Sequence, residues 1–84
     1  MIVGMKLHHI MKKERKKRKI TLVKLAEKTG LSYGMIYRLE KGLISEPRVD
    51  VLHKVSKVLE LNYLSVLKSF NYIDEDYVLG ELPP

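Results

Sequence analysis

The segment "SYGMIYRLEKG", residues 32–42, gathers two tyrosines, an arginine, a lysine and a glycine into one short stretch. At about 100° per residue, with Ser32 as the origin, Ile36 and Leu39 fall near 40° and 340° and mark a buried side. Tyr33, Gly34, Tyr37, Arg38 and Lys41 then lie between about 100° and 240°, on the opposite side. Phenol hydroxyls, a guanidinium and an ammonium on one face supply donors for an acceptor-rich, anionic partner, and the planar guanidinium can make two parallel hydrogen bonds. Gly34 costs about 1 kcal/mol of helix propensity relative to alanine. Close approach to another body would account for that cost.

This is the chemistry of recognition, and the rest of the chain offers little for catalysis. No nucleophile, base and orienting group come together in a local motif, and no glycine-rich phosphate loop is present. The chain is expected not to be an enzyme. Adjacent His8 and His9 would point about 100° apart on a helix, and neither they nor His53 have a cysteine or acid to complete a ligand set. Asp74, Glu75 and Asp76 lack the later glycine and glutamate of a calcium loop. Neither a metal site nor a cofactor is expected.

With 84 residues the chain has room for one compact domain that buries roughly 60 to 65% of its unfolded surface. Cysteine is absent, which excludes a disulfide framework and fits a cytoplasmic setting. The apolar runs fall far short of the roughly 20 residues of a spanning helix, so no membrane segment is expected. Net charge is +6, distributed unevenly: residues 1–48 hold 13 Lys or Arg and 4 acids, residues 49–84 hold 3 and 6. Clustered cations gain by displacing the counterions condensed on nucleic acid, so the basic half points to a polyanion.

Breaks in the pattern define the elements that must position the recognition face. Leu7, Ile10 and Met11 at helical spacing, followed by "KKERKKRK", predict a first helix from about Lys6 to Lys17. Thr21 caps a second, roughly Leu22 to Thr29, with Leu22, Leu25 and Ala26 inward. Gly30 ends it in the left-handed region, and Leu31 drops beneath the turn. Ser32 caps the third, which runs to about Lys41 and stops at Gly42. Pro47 suits the first turn of a fourth, whose stripe is Val49, Leu52, Val55, Ser56 and Leu59. Asn62 caps a fifth with Leu64 and Leu67 inward. The fold class is therefore all-α, five helices without strands.

The Ala26, Gly30, Ile36 spacing lets a second helix cross the first steeply and protrude, and the major groove of B-DNA admits one helix. This stretch resembles the helix-turn-helix of the Xre/Cro family of phage-type and bacterial transcriptional repressors. "SYGMIYRLEKG" looks like that family's recognition helix, and "PRVDVLHKVSKVLELNYLSVL" is similar to its fourth and fifth helices, so the resemblance spans about residues 6–68. It implies a five-helix phage-repressor-like domain with the helix-turn-helix at helices two and three. It also implies base-reading roles for Tyr33, Gly34 and Arg38, with Arg38 on guanine and Tyr33 on a thymine methyl or a phosphate. Thr21, Ser32, Tyr37, Lys41 and Arg48 fall among expected phosphate contacts, and Arg15 and Glu40 match a pair that bridges helices one and three.

Two departures bear on these expectations. Leu22 stands where many relatives have a phosphate-clamping glutamine, and the loop after the third helix reads Leu43, Ile44, Ser45, Glu46 where cations are common. The expected partners are an operator in double-stranded DNA and a second copy of the chain, giving a homodimeric repressor. Residues 1–70 form the DNA-binding domain in this reading. Residues 71–84 form an acidic tail whose Tyr72, Ile73, Tyr77, Val78 and Leu79 need a surface: the chain's own helices, a second copy or another protein. The alternatives are an antitoxin whose tail holds a toxin, and an interaction module that does not read DNA.

Overall fold

The computed structural model describes residues 7–74. Among them are five helices: α1 (Leu7–Lys17), α2 (Leu22–Thr29), α3 (Tyr33–Glu40), α4 (Val49–Leu59) and α5 (Tyr63–Ser69), with no strand. Lys6, Tyr77, Val78 and Leu79 lie outside the described residues, so the expected start of the first helix and most of the tail's apolar positions fall there.

Side-chain oxygens set three of the helix starts. Thr21 Oγ1 accepts the Lys24 amide at 3.0 Å, Ser32 Oγ the Met35 amide at 3.1 Å, and Asn62 Oδ1 the Ser65 amide at 3.0 Å. Each satisfies a first-turn donor that the helix cannot pair by itself. Gly30 closes α2 at φ 74°, its amide donating to Ala26 O at 2.9 Å. No atom lies within 4 Å of a Cβ built there, so the backbone angle, not crowding, calls for glycine. Thr29 is buried beside it and donates its hydroxyl to Leu25 O at 2.8 Å.

Met11, Leu25, Ala26, Ile36, Leu39, Val51, Val55 and Leu59 form the main core, with Leu22, Leu31 and Ile44 packed at its edge. Leu7, Leu52, Val66 and Leu67 form a second cluster, covered in part by Phe70, Tyr72 and Ile73. The beginning of the tail therefore rests on the chain's own body, and the Tyr72 hydroxyl donates to Pro47 O at 2.6 Å.

The third helix runs to Glu40 with Lys41 as its cap, and Gly42 at φ 71° turns the chain out of it, as the sequence predicts. Three local expectations are corrected. Pro47 is not in the first turn of α4: Arg48 is the extended N-cap, and Pro47 sits buried just ahead of it. Val49 is 50% exposed while Val51 is 5% exposed. Counting about 100° per residue from Leu52, Val51 near 260° and Val49 near 60° flank opposite edges of the face that Val55, Leu59 and Ser56 set between about 300° and 40°, so packing and not helical position decides which of the two is buried. In α5 the more deeply buried pair is Val66 and Leu67, with Leu64 half-buried.

Candidate nucleic-acid interface

Ile36 and Leu39 anchor α3 in the core, leaving Tyr33 49% and Tyr37 41% exposed and Arg38 and Lys41 exposed beside them. The two tyrosine rings stack with centroids 6.3 Å apart and planes 27° from parallel. Lys41 Nζ lies 5.6 Å from the Tyr37 ring centroid, where the negative face of the ring attracts a cation. Tyr33, Tyr37 and Lys41 thus form one ladder along the helix.

Arg38 lies beside the ladder and folds back by one turn over Gly34. A Cβ on Gly34 would sit 3.3 Å from the nearer guanidinium nitrogen and 4.0 Å from the guanidinium carbon. The missing side chain leaves room for the chain's own Arg38, an intramolecular neighbour that periodicity does not reveal. Gly34 is half-buried as a result of what surrounds it, not exposed as a bare strip.

Arg15 and Glu40 fix the helix that carries this face. Arg15 Nε donates to Glu40 Oε1 at 2.6 Å and a second guanidinium nitrogen donates to Oε2 at 3.2 Å, while a third bond reaches Ile20 O at 2.8 Å. Their side chains are 13% and 4% exposed. A forked, charge-assisted pair of this kind has one geometry, so it holds the C-terminal end of α3 against α1 and the turn before α2. The Ile20 carbonyl is the partner that sequence reasoning missed, because no residue type marks a backbone acceptor.

Thr21 and Ser32 stand at the starts of α2 and α3, exposed, with their oxygens already accepting backbone amides. Each hydroxyl proton remains to be donated outward, and the positive end of the helix dipole lies beside it. Arg48 caps α4 without a side-chain cap bond and pairs instead with Asp50 at 3.1 Å, an exposed contact that competes with any outside anion. Leu43 is 66% exposed in the loop between α3 and α4, whereas Ile44 packs on the core. Val23, 56% exposed in the first turn of α2, is a further apolar surface position that the sequence reading did not single out.

Among the described residues no group of three His, Cys, Asp or Glu side chains is placed to hold a metal ion. No described helix is long and apolar enough to cross a membrane.

A sequence profile described as "Helix-turn-helix" matches residues 11–64. The structure is similar to that of the N-terminal DNA binding domain of SinR from Bacillus subtilis, with 30% identity, 84% of this chain and 94% of that chain covered, and a TM-score of 0.65. It is similar also to a chain of the SinR protein/SinI protein complex, with 28% identity, coverage of 83% and 69%, and a TM-score of 0.67. No match is found among curated proteins. With its profile match running from the middle of α1 into α5 and a protruding α3 propped by α2, the chain belongs to the Xre/Cro-type helix-turn-helix family of DNA-binding transcriptional regulators.

Proposed function

We propose that the protein is a sequence-specific repressor that binds its operator as a homodimer, with α3 of each protomer in the major groove. The observation that carries this reading is the outward face of α3: Arg38 laid over Gly34, beside a Tyr33–Tyr37–Lys41 ladder, on a helix clamped by Arg15 and Glu40. Arg38 reads guanine through O6 and N7, and Tyr33 meets a thymine methyl or a phosphate oxygen. Gly34 serves this reading by letting the helix and its arginine come close to the base edges. Thr21, Ser32, Tyr37, Lys41 and Arg48 fix the register through phosphates.

One such module makes few contacts, so a symmetric dimer over half-sites about one helical turn apart supplies the rest. The dimer contact in this reading runs through α5 and the tail, and repression follows from covering a promoter. Selecting bound duplexes from a random pool tests the proposal: it expects one recurring half-site in two inverted copies. Recovery of unrelated sequences would reject it. Sedimentation with a monomer both free and on selected DNA would remove the dimer.

A second reading gives the domain a protein partner, as an antitoxin or a bridging module. Exposed Leu43 and Val23 support it, as does likeness to a chain from the SinR protein/SinI protein complex. A neighbouring toxin reading frame would favour the antitoxin form.

A further inference from the structure

Helix α1 sorts its charges by direction. Taking buried Met11 as the origin, Arg15 falls at about 40°, while Lys12, Lys16, Lys13 and Lys17 fall at about 100°, 140°, 200° and 240°. The two arginines of this run turn inward and are paired: Arg15 with Glu40, and Arg18 with Glu14 at 2.6 Å and Glu60 at 2.8 Å. Lys12, Lys13, Lys16 and Lys17 are exposed, as is Lys19 just beyond the helix, and none forms an ion pair with another described residue. Among the described residues no acid pairs with that face, and Glu14 lies on its inner rim, held by Arg18.

Such an arrangement works against the stability of the helix. Lys12 with Lys16 and Lys13 with Lys17 are like-charged pairs at four-residue spacing, which are destabilising. Lys19 stands at φ 56°, in the left-handed region that glycine or asparagine adopts more cheaply. The lysines of the last turn complement the helix dipole, but Lys12 and Lys13, further back, do not. A face that is costly to the fold yet uniformly cationic fits a task outside the fold.

We propose that the outer face of α1 is a second, sequence-independent docking surface for the phosphate backbone of another DNA duplex. Arg15 marks the direction of α3, and Lys13 and Lys17 point about 160° away from it around α1. They are separated from the recognition helix by the thickness of α1 itself, roughly 10 Å. A duplex seated on α3 is therefore poorly placed to meet them, whereas a second duplex reaches them directly. One molecule can then hold a selected site on α3 and a neighbouring stretch of any sequence on α1.

The bridging readout rests on the proposed recognition face holding the first duplex, so both are measured in one sample. A duplex selected from random pools is immobilised, the full chain is added, and capture of a fluorescent duplex of scrambled sequence is followed against salt. Wild type recruits the second duplex. The variant K12Q/K13Q/K16Q/K17Q recruits it weakly, flattening the dependence of log affinity on log salt by about 3 to 4 units, because each phosphate contact contributes about 0.9. Its preference for the immobilised site over scrambled DNA stays as in wild type. K13Q/K17Q removes about half the effect, and thermal melting of both variants verifies the fold, with glutamine retaining helix propensity close to lysine's. Unchanged recruitment by the lysine variants, or none by wild type on a well-filled first duplex, overturns the proposal. A flattened slope on the first duplex without recruitment of a second also overturns it, because the lysines then touch the same duplex. Failure to fill the first duplex counts against the recognition face instead.

Discussion

Gly34 and Arg38 show how one position can be set for the surface at a cost to the fold. Helix propensity alone would favour alanine at position 34, yet a methyl there would press on the Arg38 guanidinium at 3.3 Å. That neighbour is the end of a flexible, exposed side chain, so it can give way without harming the core. Gly34→Ala is therefore expected to stabilise the fold by up to about 1 kcal/mol in thermal melting. The same change displaces Arg38 and lowers the preference of the protein for its selected site. A variant that melts higher and discriminates equally well would show that Arg38 needs no such seat.

At the scale of helices, the Arg15–Glu40 pair links α1, the turn before α2 and the end of α3. Breaking a buried pair leaves a charge without its partner, which costs more than the intact pair contributes. Glu40→Ala is expected to destabilise the protein by about 3 kcal/mol in urea unfolding, whereas a loss near zero would mean that Arg15 finds water instead. Helix starts at Thr21, Ser32 and Asn62 and the stop at Gly30 were legible in the sequence because a cap or a left-handed turn depends on one residue type. The placements of Pro47 and Val49 were not, because Pro47 is held by a distant Tyr72 and Val49 lies just off a face that only packing defines. Similarly, the outward side of α3 followed from periodicity, but the fold of Arg38 over Gly34 and the ring stacking depend on rotamers that periodicity does not set.

Over the whole molecule, charge is divided between pairs that hold the fold and cations left for a partner. The Arg18 hydrogen bond holds the Glu14 carboxyl below its ordinary range; burial opposes it as the next largest effect, and the charges of Lys17, Arg18 and Lys13 assist. Because its folded value is lowered, the stabilisation is present above the ordinary glutamate value and disappears as pH falls through the lowered one. Wild type and Glu14→Gln should consequently differ in melting temperature at neutral pH and converge only once the pH has fallen through the lowered Glu14 value, on the acid side of an ordinary glutamate; a gap independent of pH would refute this role. In the proposed reading the cations of the α3 face divide into one that reads bases, Arg38, and one that positions the protein on phosphates, Lys41. The most direct test of that division is binding of Arg38→Ala and Lys41→Ala to the selected site, to its single base-pair variants and to random duplex, across several salt concentrations. Arg38→Ala should cost about 1 to 3 kcal/mol on the selected site and lose discrimination at one base position, while Lys41→Ala weakens all duplexes alike and flattens the salt slope by about one unit. Equal losses for both variants on selected and random DNA would contradict it.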